Sequence, residues 1–161
     1  HHLPPPAKMT YTIFMLVSRK PGMSLADFTH HYENIHIPLA LDILGAEAPL
    51  SHTRYYLKRS PASPSSPSSA PATTTIDPLT ADAAPGTEPP PLVFVGAAAS
   101  IDYDCVSIVE FEDEAHLARF NELLGSGPRS AEMERDNAGF VDMGSFRIFV
   151  VGEARVTKPE R

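Results

Sequence analysis

From Ser60 to Pro91 the chain reads SPASPSSPSSAPATTTIDPLTADAAPGTEPPP, a run with nine of the 17 prolines and no aromatic residue. A segment with so little apolar surface cannot offset the entropy of ordering it, so residues 60–91 are expected to be a disordered insertion. The folded protein must then be assembled from two separated pieces, residues 9–59 and 92–161. Long surface insertions cost little in closure entropy, so the run reads first as a tolerated loop and only second as a proline-based binding motif. The opening residues 1–8, HHLPPPAK, read as the remnant of a histidine tag and linker ahead of Met9. What is left is one domain's worth of chain.

Charge and cysteine content narrow the function. With 13 Lys and Arg against 20 Asp and Glu, a formal charge of -7, the chain is a poor match for a polyanion, and no nucleic-acid partner is expected. The single cysteine, Cys105, excludes an intramolecular disulfide and four-cysteine zinc frameworks, and it fits a reducing compartment. No apolar run approaches ~18 residues and no secretory pattern follows Met9. The expected location is therefore cytoplasmic, with no membrane partner.

The first piece opens with an apolar, β-branched run, Thr10 to Ser18, which predicts a strand. Turn chemistry at residues 19–22 leads to Ser24 and Asp27, spaced to begin a helix. Leu25, Phe28, Tyr32 and Ile35 recur three and four apart, one apolar stripe, with Asp27, His30, Glu33 and Asn34 mostly off it. Pro38 disfavours helical geometry at Ile37 and removes a donor, so a break or kink is expected there, with His36 beside it. The helix then resumes from Leu39 to Leu44 and stops at Gly45. Residues 51–58, SHTRYYLK, predict a second strand.

In the second piece, Leu92 to Val95 is a short apolar stretch and Tyr103 to Glu112 a well-marked strand. Its two faces carry Cys105, Ser107, Val109 and Phe111 on one side, and Asp104, Val106, Ile108 and Glu110 on the other. Asp113 caps a helix through Leu124, with Gly125 as the stop. Ser130 to Asn137 predicts a short helical turn, and Ser145 to Val151 a last strand. The order β-α-β, insertion, β-α-β matches a ferredoxin-like α+β arrangement with helices on one face of the sheet. The other face needs cover, and a second copy laid against it would supply this and enclose a cavity between the two sheets.

Several residues could carry chemistry. His30, His31 and His36, with His52 and His116 in reserve, are badly spaced for a helical metal site, so no metal is expected and His30 and His31 read as solvated. His36, beside the proline, reads either as a proton-transfer group or as a helix-end histidine satisfied by backbone. Alternation groups His52, Arg54, Tyr56 and Lys58 on one face, which points either to water or to a ligand cavity. Asp104 and Glu110 lie among apolar neighbours, an environment suited to a general acid or to an ion pair with Arg54 or Lys58. Cys105 alternates with core positions and reads as a small buried hydrophobe rather than a nucleophile. No phosphate-binding loop is present.

The segments at 19–40, 51–59, 102–113 and 135–151 together resemble the EthD domain, of the dimeric α+β barrel superfamily. The most specific stretch is Tyr32-Glu33-Asn34-Ile35-His36-Ile37-Pro38, with its H-x-P step, followed by Tyr103-Asp104, Glu110-Phe111, and Asp136 with Phe140-Val141-Asp142. The resemblance implies a ferredoxin-like βαββαβ protomer, a homodimer built sheet to sheet and a cavity in each subunit. Its flavour is that of fungal polyketide-tailoring proteins, several of them decarboxylases, dehydratases or cyclases that act without a cofactor. The long insertion departs from the compact family pattern.

The function expected from this is a cofactor-independent lyase acting on a small-molecule aromatic polyketide, by decarboxylation first, with dehydration or cyclisation next. His36 or His52 would donate the proton, Arg54 would orient a carboxylate, Tyr56 would bind a phenol, Ile108 would contact substrate, and Asp104 and Glu110 would tune the histidines. The alternatives are a cofactor-independent monooxygenase of an anthrone-like substrate, using the same residues, and a noncatalytic ligand-binding partner.

Overall fold

The computed structural model describes residues 10–61 and 88–161. The tag-like opening residues and all but the two ends of the proline-rich run lie outside the described residues. Four strands, β1 (Tyr11–Val17), β2 (Ser51–Tyr56), β3 (Cys105–Phe111) and β4 (Arg147–Val151), form one sheet in the order β2-β3-β1-β4. Every pairing is antiparallel. The fold is therefore α+β, with a four-stranded antiparallel sheet and three helical rods packed on one of its faces. The first rod comprises α1 (Leu25–His31), a π-helical turn (Tyr32–His36) and α2 (Ile37–Leu44), while α3 (Glu114–Gly125) and α4 (Ser130–Phe140) are the others.

Strand alternation decides what faces the helices. Ile13, Met15 and Val17 of β1 and Cys105, Val109 and Phe111 of β3 point inward, where Phe28, Tyr32 and Phe140 cover them. Each fully buried Ile, Val or Phe among these contributes roughly 1.5–3 kcal/mol of transfer free energy. The anticipated caps form: Ser24 Oγ accepts the Asp27 N–H at 3.0 Å, and Asp113 Oδ1 accepts that of His116 at 2.8 Å.

The anticipated break at Pro38 does not occur. Instead the helix widens by one residue: the Ile37 N–H donates to the carbonyl of Tyr32, five residues back, so Pro38 enters in the first turn of α2, where a missing donor costs nothing. The extra residue advances the helix phase by about 100°. Ile35, expected in the core, is consequently turned out, at 45% exposure, and His36 is turned in.

Two other expectations change. Residues 130–137, anticipated as a turn, belong to an eleven-residue helix reaching Phe140. Its inward stripe is Met133, Asp136 or Asn137, and Phe140; the polar residues in its middle interrupt the apolar period that would have marked it. The short apolar stretch Leu92 to Val95 does not join the core: Phe94 is 94% exposed. The ends of the insertion are also better anchored than its composition suggests. Arg59 and Pro91 pair antiparallel, the Ser60 N–H donates to Pro90 O at 2.8 Å, and the Leu92 N–H to Lys58 O at 2.8 Å. Glu88, its side chain nearly buried, accepts the Leu25 N–H at the start of α1 and pairs with Arg19.

Candidate active site

A cavity of about 470 Å³ lies between the sheet and the helices, on the side opposite the one a second sheet would cover. Most of its lining is apolar, including Leu41, Leu44, Phe120, Leu124 and Phe146, whereas Tyr32, His36, His52 and Arg54 supply polar groups. These come from two elements for definite reasons. The π turn aims Tyr32 and His36 at the sheet, and the register of β2 against β3 (His52 opposite Val109, Arg54 opposite Ser107) turns its polar residues to the helix side.

His36 is held by a carboxylate that comes from α4. Its Nδ1 donates to Asp136 Oδ2 at 2.7 Å, and its ring packs against Phe140 and, edge-on, against Tyr32. With Nδ1 protonated, the neutral ring keeps a lone pair on Nε2. Burial lowers the His36 pKa from the ordinary histidine value despite the opposing pull of Asp136, so the ring is a neutral base near pH 7. The other oxygen of Asp136 accepts from His31 Nε2 at 2.8 Å, and the His31 ring is stacked on Phe140.

Opposite stands a hydroxyl chain. Tyr32 OH is 2.9 Å from Ser107 Oγ, in the buried core, and 3.4 Å from His52 Nε2. Burial raises the Tyr32 pKa, keeping the phenol a donor, and lowers that of His52 to about 4, with Arg54 adding to the effect. Arg54 is already engaged: Nη2 donates to Glu33 Oε1 at 2.9 Å, Nε pairs with Glu33 Oε2, and Nη1 donates to the carbonyl of His52 at 3.0 Å. Tyr56 OH donates to the same Glu33 at 2.6 Å. The Arg54 hydrogen bonds hold Glu33 below the usual carboxylate range.

Comparison with known proteins gives the family. The model of the EthD domain matches residues 20–144. The chain belongs to the EthD domain family. Among solved structures, an EthD-like protein from Ralstonia eutropha is similar, with 14% identity over 91% of this chain and 97% of that one and a TM-score of 0.46. No curated protein sequence matches.

In this EthD domain the structure brings His36, His52, Arg54 and Tyr56 to one side of the sheet, and sets Asp104, Glu110 and Ile108 apart. Ile108 and Glu110 lie on the outer face, opposite Thr53 and Ser51 of β2, and Glu110 accepts from Ser51 Oγ at 2.9 Å. Asp104 accepts from the Arg19 N–H at 2.8 Å and from Arg59 Nη2 at 2.6 Å. Neither carboxylate tunes a histidine, and Arg54 pairs with neither; one residue of strand alternation separates them from the cavity. The carboxylates that take these places are Glu33, which lies off the helical stripe, and Asp136, at core spacing between Met133 and Phe140; both stand in the stretches that resemble the EthD domain, but neither is assigned a role there. His31 also leaves its expected solvated role. His116 is buried and satisfied by backbone, accepting from the Glu112 N–H at 3.1 Å and donating to Glu47 O at 3.1 Å. Cys105 is fully buried and its thiol is pushed up to about 11. Among the described residues no three His, Cys, Asp or Glu are grouped to hold a metal, and no helix is long and apolar enough to cross a membrane.

Proposed function

We propose that this EthD domain is a cofactor-independent lyase that removes a proton beside a carbonyl of an aromatic polyketide and completes a dehydration or cyclisation. The observation that carries the reading is His36: a neutral imidazole, oriented through Nδ1 by Asp136, lining a largely apolar cavity. In such a dehydration Nε2 takes the proton, the electron pair of the C–H bond forms an enolate, and the hydroxyl on the next carbon leaves. The proton held by His36 goes to that departing oxygen, so water is the only by-product. The Tyr32 phenol supplies a donor for the enolate oxygen, and the apolar walls strengthen that hydrogen bond by excluding water.

Dehydration or cyclisation ranks ahead of decarboxylation because Glu33 occupies the guanidinium fork that an acid substrate would need. The strand order, with helices on one face, supports a ferredoxin-like protomer. The outer face, with Tyr55 56% and Phe149 45% exposed, supports a sheet-to-sheet homodimer of the dimeric α+β barrel kind. One buried, unpaired cysteine fits a cytoplasmic setting.

The test is to incubate the protein with anthrone- and anthraquinone-type ketones and acids, with and without oxygen, and to follow substrate mass. Loss of water regardless of oxygen is expected, with His36→Ala slowing it at least ~100-fold while folding is retained. Gain of an oxygen atom only in air would replace this reading with the oxygenase, and loss of carbon dioxide would restore decarboxylation. Full activity in a folded His36→Ala protein would remove the assignment of the base.

A further inference from the structure

Asp136 is bonded twice, and the proton-transfer reading uses only one of its bonds. Its second oxygen accepts from His31 Nε2 at 2.8 Å, and the carboxylate itself is only 9% exposed, so these two histidines are its hydrogen-bonding partners within the site. His31 lies at the end of α1, one helical turn before His36. Its ring is stacked on Phe140, with centroids 4.6 Å apart at 22°, and its side chain is 20% exposed. The arrangement is a carboxylate clamped between a cavity histidine and a histidine with access to water.

We propose that His31 is a positioning residue for His36, acting through Asp136: it fixes the plane of the carboxylate, and by sharing that carboxylate it weakens its hold on His36. This rests on the reading of His36 as the base. Its physics is that of two sites sharing one counter-charge. A positive charge on His31 offsets part of the negative charge that favours a proton on His36, and so acts to lower the His36 pKa. His36 also faces the Arg54 guanidinium, neutral His52 and the Tyr32 phenol, while Phe140, packed on both histidine rings, carries no charge. His31 is therefore the neighbour that shares the Asp136 carboxylate with it. A charge at His31 therefore acts to keep His36 a free base further into the acid range than Asp136 alone would allow.

The test is an imidazole nitrogen–proton NMR titration of the full chain, with the His36 signals assigned by their loss in His36→Asn. Three variants divide the effect. His31→Gln keeps a donor to Asp136 without an imidazole charge, His31→Phe keeps the stack on Phe140 without donor or charge, and Asp136→Asn removes the shared carboxylate. Both His31 variants are expected to raise the His36 pKa by roughly 0.5–1 unit. The Nδ1–H signal should stay sharp in His31→Gln and broaden in His31→Phe. If His31→Phe does not fold by circular dichroism, His31→Gln carries the pKa arm alone. An unchanged His36 titration in folded His31→Gln, with Asp136→Asn still moving it, would overturn the role of His31 and leave the His36–Asp136 pair standing. No change even in Asp136→Asn would overturn both.

Discussion

His52 illustrates how burial, more than any partner, sets the behaviour of a residue. Its folded pKa of about 4 lies below the ordinary 6.5, so between these values the unfolded chain binds a proton that the folded chain refuses. The resulting stability is fully present above pH 6.5 and is lost as pH falls toward 4, by roughly 3 kcal/mol at most for 2.5 units at 1.36 kcal/mol each. His36, also lowered, adds in the same direction. Urea midpoints taken across this window should therefore decline with acidity, and in His52→Gln the decline should be visibly shallower. An equally steep decline in that variant would show that His52 is not the group responsible. The same lowering of His36 sets the acid limb of activity: rate should persist below pH 6.5 and fall only as pH drops through the depressed His36 pKa. At this scale the sequence is half informative. The aromatic and β-branched residues of β2 make its alternation plain, so the period of two by itself groups His52, Arg54 and Tyr56 on one face. It does not reveal their partners, because Glu33 and Asp136 reach the site through tertiary packing that leaves no local period.

Among the elements, the π turn has the largest consequence. If Pro38 is what the extra residue accommodates, then deleting the exposed Ile35 would restore an α-helical register while driving the proline ring against a carbonyl four residues back. The expected cost is about 3 kcal/mol, and adding Pro38→Ala should recover most of it, read by thermal or denaturant unfolding. A deletion that is harmless without the second change would mean that the turn has another cause. The one-residue phase shift also explains why the stripe through Leu25, Phe28 and Tyr32 is legible and its continuation to Ile35 is not: a period of 3.6 carries no mark of where it slips. The insertion makes a second prediction. Because Ser60 and Pro90 are hydrogen-bonded, replacing residues 62–87 by a short Gly/Ser linker should leave unfolding almost unchanged. Glu88→Ala, by contrast, removes both the ion pair to Arg19 and the acceptor at Leu25, and should cost about 1–2 kcal/mol.

For the whole molecule, the sheet has two unlike sides, one facing the helices and the cavity and one exposing Tyr55 and Phe149. Association through the outer face would make the protein a dimer at micromolar concentration by light scattering, and Tyr55→Lys with Phe149→Glu should yield a monomer whose cavity residues are untouched. A wild-type monomer would refute the sheet-to-sheet arrangement. Because β2 alternates strictly, Tyr55 belongs to one side and Tyr56 to the other, so letters adjacent in the chain meet unrelated surroundings. If the outer face is the one that assembles, the sheet is a dividing wall one backbone thick between it and the cavity, and a substitution scan along β2 should sort into two interleaved phenotypes of period two.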